Sequence, residues 1–266
     1  MSNRPHILLV NDDGIHAPGL YHLWKGLKDY VDITIVAPHT EKSGSGLAHT
    51  LTKPIHLRKV KWEDDTPAWS VGGTPADCVK LALHEVLKKN PDLIVSGINR
   101  GANAGRTVLH SGTVGCVIEG VIRNIPGIAF SCFDFHDTDY EQAEKHIYPV
   151  VKHFLEHPLP NGTLLNVNFP KNTHKPIKGF KMARQGKSHW IDNPDRRQHP
   201  EGSTYFWLGG RWNECAEHEE SDVALLEKGY MTAVPIHINE MTDHAILEKH
   251  RSIFETLFSG ISAKAD

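Results

Sequence analysis

Two adjacent carboxylates follow the first apolar segment of this chain. Residues 6–10 are typical of a buried β-strand, and Asp12 and Asp13 come directly after it, before a turn at Gly14. Ligands of open α/β sheets bind beyond the carboxyl ends of the strands. Two acids at that position repel each other unless a cation lies between them, and that cation is usually a hard divalent metal ion. A metal site and a solvated Asp-Asp-Gly turn both account for the motif, and the motif alone does not choose between them.

Three more polar segments share this placement. They follow a predicted strand or open a predicted helix, and they cover residues 42–46, 97–105 and 111–114. Ser43 could offer a hydroxyl, and Asn99 an amide oxygen, to a cation that two carboxylates already hold. A set of oxygen ligands suits Mg²⁺ or Mn²⁺ much better than Zn²⁺.

The last of these segments has the features of a phosphate site. Ser111, Gly112 and Thr113 stand at a predicted helix start, where backbone N–H groups are free and two hydroxyls are close by. Ordinary structure is the alternative, because Ser111 could simply be the helix N-cap. The joint placement of four polar segments at one edge of the sheet favours a metal and phosphate site. Among the 19 histidines, His110 is the best placed to protonate a leaving group.

The elements that must position these residues alternate between strands and helices. Apolar segments predict strands at residues 7–10, 32–38, 69–71, 91–96 and 128–132, and a β-like stretch ends at about residue 61. Spacing and capping signals predict helices that begin near Gly19, Thr74 and Ser111, the first with helical spacing as far as Val31. This alternation implies βαβ units and a mostly parallel sheet.

The second half of the chain is less regular. Helices are predicted at residues 140–156, 222–228 and 242–258, and strands at 163–169, 178–183 and 230–238. A long structureless loop inside a compact domain is uncommon, so we expect residues 185–220 to form a projecting hairpin or arm. The aromatic residues of this arm could stack on a substrate base or be buried in a subunit contact, and the sequence does not choose; they are Trp190, Tyr205, Phe206 and Trp207.

Composition narrows the class of protein. The net charge of −3 over 266 residues argues against a nucleic-acid binder. The four cysteines are widely spread, which indicates reduced thiols and neither a zinc site nor a disulfide framework. The chain has neither the apolar segment of a secretion signal at its start nor an apolar run as long as a membrane span, so we expect a soluble cytoplasmic protein. A P-loop motif is absent, and Gly14 replaces the second acid of an Asp-x-Asp phosphatase motif.

Five motifs in a fixed order resemble one known family. The chain is similar to the survival protein SurE family of metal-dependent 5′/3′-nucleotidases at residues 10–19, 37–44, 73–79, 96–103 and 111–120. The similarity is dense from about His6 to Phe133 and returns at residues 221–223 and 229–236. The resemblance implies an α/β fold with a Rossmann-like three-layer core, a mostly parallel sheet and a C-terminal extension that carries a protruding β-hairpin.

The resemblance also implies roles for particular residues. One divalent ion, Mg²⁺ or Mn²⁺ with Co²⁺ as a further candidate, would be held by Asp12, Asp13, Ser43 and Asn99. Asn103, together with Ser111, Gly112 and Thr113, would bind the phosphate of a nucleoside monophosphate. Asp12 and Asp13 would be the catalytic pair, and Asp12 is expected to orient or deprotonate an attacking water. A covalent aspartyl-phosphate route is the alternative mechanism.

The expected organisation has three parts. Residues 1–184 form the catalytic core, residues 185–220 the projecting arm, and residues 221–266 a strand and helix that return to the core or to a subunit interface. We expect a hydrolase of nucleoside 5′-monophosphates, with 3′-monophosphates as further substrates, that forms a homodimer or homotetramer and has no membrane or stable nucleic-acid partner. The alternative function is a Rossmann-like nucleotide-binding or sensing module without catalysis.

Overall fold

The computed structural model describes residues 4–213 and 215–262. Residues 1–3, 214 and 263–266, which belong to the three predicted parts, lie outside the described residues. The strands are β1 (His6–Val10), β2 (Asp32–Pro38), β3 (Leu57–Val60), β4 (Ala68–Val71), β5 (Leu93–Arg100), β6 (Gly127–Cys132), β7 (Thr163–Phe169), β8 (Phe180–Met182), β9 (His189–Gln198), β10 (Thr204–Asn213) and β11 (Met231–His237). The α-helices are α1 (Pro18–Lys25), α2 (Pro75–Leu81), α3 (Gly112–Val121), α4 (Tyr140–Glu156), α5 (Asp222–Glu227) and α6 (His244–Ser262).

Nine strands form one sheet in the order β3-β4-β2-β1-β5-β6-β7-β11-β8. The six strands from β4 to β7 are parallel, whereas β3 pairs antiparallel with β4 and β11 pairs antiparallel with β7. Strand β8 pairs parallel with β11. The predicted α/β fold with a mostly parallel sheet is therefore confirmed. The chain runs outward from β1 on one side and then crosses to β5 on the other, so the strand order reverses between β1 and β5. Such a switch point is where ligands bind in open α/β sheets.

Helices cover both faces of this sheet. In β1, Ile7 and Leu9 join the apolar cluster beneath α1 and α4, whereas Leu8 and Val10 join the cluster beneath α2. A strand that is buried on both faces needs an unbroken apolar run, which is what the sequence has there. The result is a three-layer core. No helix in the described part of the chain combines the length and the apolar character that crossing a membrane requires.

Two elements differ from the sequence-based expectation. Helix α1 ends at Lys25, and the buried residues Leu27 and Val31 continue its apolar spacing as turns. Strand β3 is restricted to residues 57–60 instead of filling the predicted β-like stretch. The exposed side chains of residues 51–54 explain part of this difference, because they bury little apolar area that would hold them to the sheet.

A third difference affects the candidate site. The sequence predicts that a strand ends at Ser96, whereas β5 continues to Arg100. The register with β6 shifts after Ser96, and pairing resumes when Asn99 lies beside Ser131. The buried side chain of Ile98 favours this continuation. Asn99 is therefore held by the sheet itself and does not stand in a free loop.

Strands β9 and β10 form a separate two-stranded antiparallel sheet, which we call the hairpin. The expectation of a hairpin between the core and the C-terminal elements is thus confirmed. Most of its side chains are exposed.

Candidate active site

A cleft of about 960 Å³ opens at the carboxyl ends of β1 and β5. Each of the four predicted polar segments contributes to its lining, through Asp12, Ser43, Asn99, Asn103 and Ser111. These residues are far apart in the sequence, and the parallel strands bring them to one edge. The fold therefore joins four polar segments in one cleft.

The turn after β1 is built by Asn11. Its side chain donates to the carbonyl of Gly14 at 2.9 Å and accepts from the amide of Gly14 at 3.2 Å. Gly14 has a φ of 107°, a conformation that favours glycine. This closed turn holds Asp12 and Asp13 between the strand and the glycine. In the motif Asn-Asp-Asp-Gly, the asparagine and the glycine thus fix the backbone that carries the two carboxylates.

Asp12 is buried at the bottom of the cleft, with 3% of its surface exposed. Its Oδ1 accepts a hydrogen bond of 2.5 Å from the hydroxyl of Thr113. Its backbone carbonyl accepts from the amide of Lys42 at 2.7 Å. Asp12 therefore ties α3 and the segment after β2 to the end of β1.

Both carboxylates are costly to ionise where they lie. Burial raises the pKa of Asp12 above its ordinary value. Burial, and then the charge of Asp12, raises the pKa of Asp13 to about 7, although the backbone amide of Arg100 donates to it at 3.2 Å. Within the described residues neither carboxylate has a side-chain ion pair, and the guanidinium of Arg100 lies 3.4 Å from Glu41. A cation between the two acids would relieve both effects.

Asn99 and Ser43 complete a set of oxygen donors. The Nδ2 of Asn99 donates to the carbonyl of Gly101 at 2.7 Å, which leaves its Oδ1 as the atom free to face a ligand. The exposed hydroxyl of Ser43 donates to Glu41 at 2.8 Å and keeps its lone pairs. Two carboxylates, an amide oxygen and a hydroxyl fit a hard divalent cation. Within the described residues, no three His, Cys, Asp or Glu side chains are grouped as metal ligands, so a thiol- or imidazole-rich site is not indicated there.

The start of α3 lies beside this donor set. Ser111 is the N-cap of α3 and accepts from the amide of Val114 at 3.1 Å, which is the capping role that the sequence also allowed. The hydrogen of its hydroxyl remains available to a ligand. Thr113 is fully buried and directs its hydroxyl to Asp12 instead of the cleft. A side chain at Gly112 would place its Cβ 2.8 Å from the Oδ2 of Asp12. Gly112 thus keeps the helix start and the acid in close contact. His110 also lines the cleft and is exposed.

Ser45 is a residue of this site that sequence reasoning missed. Its buried hydroxyl has no hydrogen-bond partner among the described residues. A Cβ at Gly112 would lie 2.8 Å from this oxygen, so Ser45 is next to the start of α3. A buried hydroxyl without a partner is costly unless a ligand or water satisfies it.

A buried polar network holds Asn103. Its Nδ2 donates to the hydroxyl of Ser131 at 2.8 Å, and its backbone amide donates to the Oδ1 of Asn168 at 2.8 Å. Asn166 donates to its carbonyl at 2.8 Å. Asn166 and Asn168 alternate with apolar residues in a buried strand, a signal that could have identified them from the sequence.

The base of the hairpin is fastened to the same region. Asp222, at the start of α5, is fully buried and accepts from the amides of Gly105 at 3.0 Å and Gly186 at 2.8 Å. The carbonyl of Ser188 accepts from the amide of Arg106 at 2.8 Å. The chain just before β9 is therefore bonded to the segment that carries Asn99 and Asn103. Sequence reasoning missed this role of Asp222.

Comparisons with known proteins support one family. The family described as "Survival protein SurE" matches residues 7–192 of this chain. A "5'-nucleotidase SurE" from Protochlamydia amoebophila is 51% identical over 258 residues, which cover 96% of this chain and 99% of that protein. A protein with the same description from Flavobacterium johnsoniae is 41% identical over 245 residues, 91% of this chain and 95% of that protein. The crystal structure of the SurE protein from Aquifex aeolicus superposes with a TM-score of 0.80 at 36% identity, and the match covers 94% of this chain and 99% of that one.

Proposed function

The chain belongs to the survival protein SurE family, and we propose on that premise that it is a 5′-nucleotidase, a metal-dependent phosphomonoesterase that converts nucleoside 5′-monophosphates to nucleoside and phosphate. We include 3′-monophosphates as further substrates. One observation carries the proposal: Asp12, Ser43, Asn99, Asn103 and Ser111 line a single cleft. The alternative of a binding module without catalysis is not favoured, because the named relatives are nucleotidases.

We assign one divalent cation to Asp12, Asp13, Ser43 and Asn99, with Mg²⁺ or Mn²⁺ preferred and Co²⁺ as a further candidate. The support is the oxygen donor set and the raised pKa of both acids, whose buried charges need a positive partner. When bound, such an ion polarises a phosphoryl oxygen and lowers the pKa of a coordinated water.

The residues of the chain then have distinct tasks. The amide of Gly112 at the start of α3 and the hydroxyl of Ser111 donate to phosphoryl oxygens, as helix N-termini do for bound phosphate. Asn103, fixed by its buried network, contacts the same group. Asp12 orients the attacking water, and the hydrogen bond from Thr113 fixes the rotamer of Asp12 for that task. The bond to the ribose oxygen breaks, and His110 at the cleft wall is our candidate to protonate that oxygen.

We also propose a division of tasks along the chain: residues 1–184 carry the chemistry, and residues 185–220 and 221–266 supply the arm and the C-terminal elements. Large apolar side chains are exposed on the hairpin and on α6, among them Phe206, Ile253 and Phe254. Contiguous exposed apolar surface is typical of subunit contacts. This feature supports a homodimer or homotetramer.

A metal-depletion experiment tests the proposed function. After removal of metal with EDTA, hydrolysis of AMP should fall by at least about 100-fold, and added Mg²⁺, Mn²⁺ or Co²⁺ should restore it. Phosphate release is measured for 5′-AMP and 3′-AMP with each metal. Full activity in the presence of EDTA would contradict the metal requirement. AMP binding without hydrolysis under any of the three metals would instead favour the non-catalytic module.

The tight contact at Gly112 gives a second prediction. Gly112→Ala places a methyl group 2.8 Å from the Oδ2 of Asp12 and from the hydroxyl of Ser45, so one of these groups must move. We expect kcat/KM for AMP to fall by about 100-fold, because a shift of about 1 Å at a reacting centre has that effect. Steady-state kinetics and a thermal melt check the result.

Gly72→Ala is the matched control for this change. Its Cβ would meet nothing closer than 3.7 Å, and its φ is not positive. This variant should keep its activity, since Gly72 lies outside the cleft lining. Equal activity of the Gly112 and Gly72 variants would show that the site does not require glycine at position 112.

A further inference from the structure

The lining of the cleft has two chemically different parts. The polar part contains the proposed metal and phosphate residues. The other part consists of four aromatic side chains, which we call the aromatic wall: Phe133, Phe135, Trp190 and Trp212. A phosphate group and a metal ion need only a small part of a cleft of about 960 Å³. The aromatic wall therefore faces space that another portion of the ligand must fill.

The hairpin turns one particular face toward the cleft. Trp190 pairs directly with Trp212 across the two strands, so their side chains lie on the same face. Leu208 and Gly210 alternate with the residues of the opposite face and also line the cleft. Trp207 lies on the opposite face and is absent from the lining. The strand alternation thus separates two tryptophans that contact the cleft from one that does not.

Packing fixes the aromatic wall in place. Trp212 and Phe133 pack together with the buried residues Ala104, Val223 and Leu226. Trp190 meets Trp212 edge to face, with ring centroids 5.7 Å apart, yet 59% of Trp190 is exposed. Trp212 therefore supports the ring of Trp190, and the ring of Trp190 remains exposed to the cleft. A rigid aromatic ring that is held over a cleft loses little entropy when a ligand stacks on it.

The basic side chains beside the aromatic wall are already engaged. Arg100 lies over the ring of Phe135 at 4.4 Å, and Lys171 lies over the ring of Phe133 at 4.8 Å. Lys171 also pairs with Glu227 at 2.7 Å. The cations thus rest on two rings of the wall, whereas the ring of Trp190 has no cation on it within the described residues. Trp190 is the ring that is open to a planar partner.

We propose that the aromatic wall is the base-binding part of the active site, and that the base of the nucleoside monophosphate stacks on Trp190. This inference rests on the proposed function, because the polar residues of the same cleft must hold the phosphate. The base is the occupant of choice because it is planar and aromatic and is joined to the phosphate through the ribose. Stacking on tryptophan accepts every base, since every base has a π face.

The comparison of two substrates tests the proposal. AMP and ribose 5-phosphate share the reacting phosphate, but only AMP carries a base. For Trp190→Ala, we expect KM for AMP to rise by about 10-fold or more, with KM for ribose 5-phosphate changed by less than about 2-fold. Trp190→Phe should recover most of the affinity for AMP. Trp207→Ala, a tryptophan of the same hairpin on the opposite face, is the matched control and should leave both KM values unchanged.

A binding measurement separates this proposal from the proposed function. Adenosine, which has no phosphate, should quench the tryptophan fluorescence of the unaltered protein and should no longer do so in Trp190→Phe. Equal changes of KM for both substrates in Trp190→Ala, or no change for either, would overturn the base site. If the unaltered protein hydrolyses neither substrate with any metal, the proposed function fails, and the adenosine titration still decides whether Trp190 binds a base.

Discussion

Asp12→Asn is expected to lower kcat/KM for AMP by about 1,000-fold or more, because the change removes a charged metal ligand and the group that orients water. The asparagine has the same shape as the aspartate. Its Oδ1 keeps the bond from the hydroxyl of Thr113, and its backbone keeps the bond from Lys42. The loss should therefore arise from charge and not from misfolding. Phosphate release from AMP measures it.

Thermal unfolding gives a second readout for the same variant. Burial raises the pKa of Asp12, so its ionised form is unfavourable in the metal-free fold. In EDTA the Asn variant should therefore unfold at the same or a higher temperature than the unaltered protein. A saturating divalent ion should raise the Tm of the unaltered protein by about 5 °C or more, since metal at 100 times its Kd contributes about 2.7 kcal/mol. The Asn variant should lose this gain.

Asp29→Asn is the control for this pair of measurements. Asp29 is exposed and precedes β2, at the edge of the sheet opposite the cleft. This variant should keep both the activity and the stabilisation by metal. Asp12→Asn with full activity would remove Asp12 from the catalytic pair. Asp12→Asn that is inactive but still stabilised by metal would keep a role in catalysis and remove the role as a ligand.

The position of the acids could be predicted from local sequence. A strand that is buried on both faces has an unbroken apolar run, and the end of β1 is visible where Asn11 begins the turn. The alternation of strands and helices then places other strand ends at the same edge. The extension of β5 through Asn99 could not be predicted in this way. It depends on pairing with β6 after a register shift, which is a contact between segments distant in sequence.

The hydrogen-bond partners of side chains are the second feature that could not be predicted from the sequence. The sequence offered Thr113 as a phosphate ligand, and the structure directs its hydroxyl to Asp12. The roles of Ser45 and Asn168 depend on which buried donors and acceptors meet in three dimensions. The aromatic residues of the arm posed the same problem. The pairing of β9 with β10 was needed before Trp190 could be separated from Trp207.

The second large effect is expected at Asp222, which is remote from the acids in sequence. Its carboxylate accepts from the amides of Gly105, Gly186 and Val223 while fully buried. Asp222→Ala leaves these donors without a partner, and each buried unpaired group costs about 1–3 kcal/mol. We expect a loss of roughly 3–5 kcal/mol in the free energy of unfolding, measured by denaturant titration. Glu219→Ala, an exposed neighbour, is the control and should be close to neutral.

Asp222→Asn separates stability from function. Its Oδ1 keeps the bonds from Gly186 and Val223, whereas Nδ2 in place of Oδ2 loses the bonds from the amide of Gly105 and from the side chain of Gln185. The lost bond from Gly105 matters for the site, because Gly105 ends the segment that carries Asn99 and Asn103. We therefore expect a smaller loss of stability than for alanine, together with a rise of about 10-fold in KM for AMP, because the phosphate and base groups are no longer held in one geometry. If Asp222→Asn keeps the KM of the unaltered protein, Asp222 stabilises the fold without positioning the site. Such a result would also mean that the packing of Trp212 and the bond from Arg106 to Ser188 suffice to keep Trp190 over the cleft.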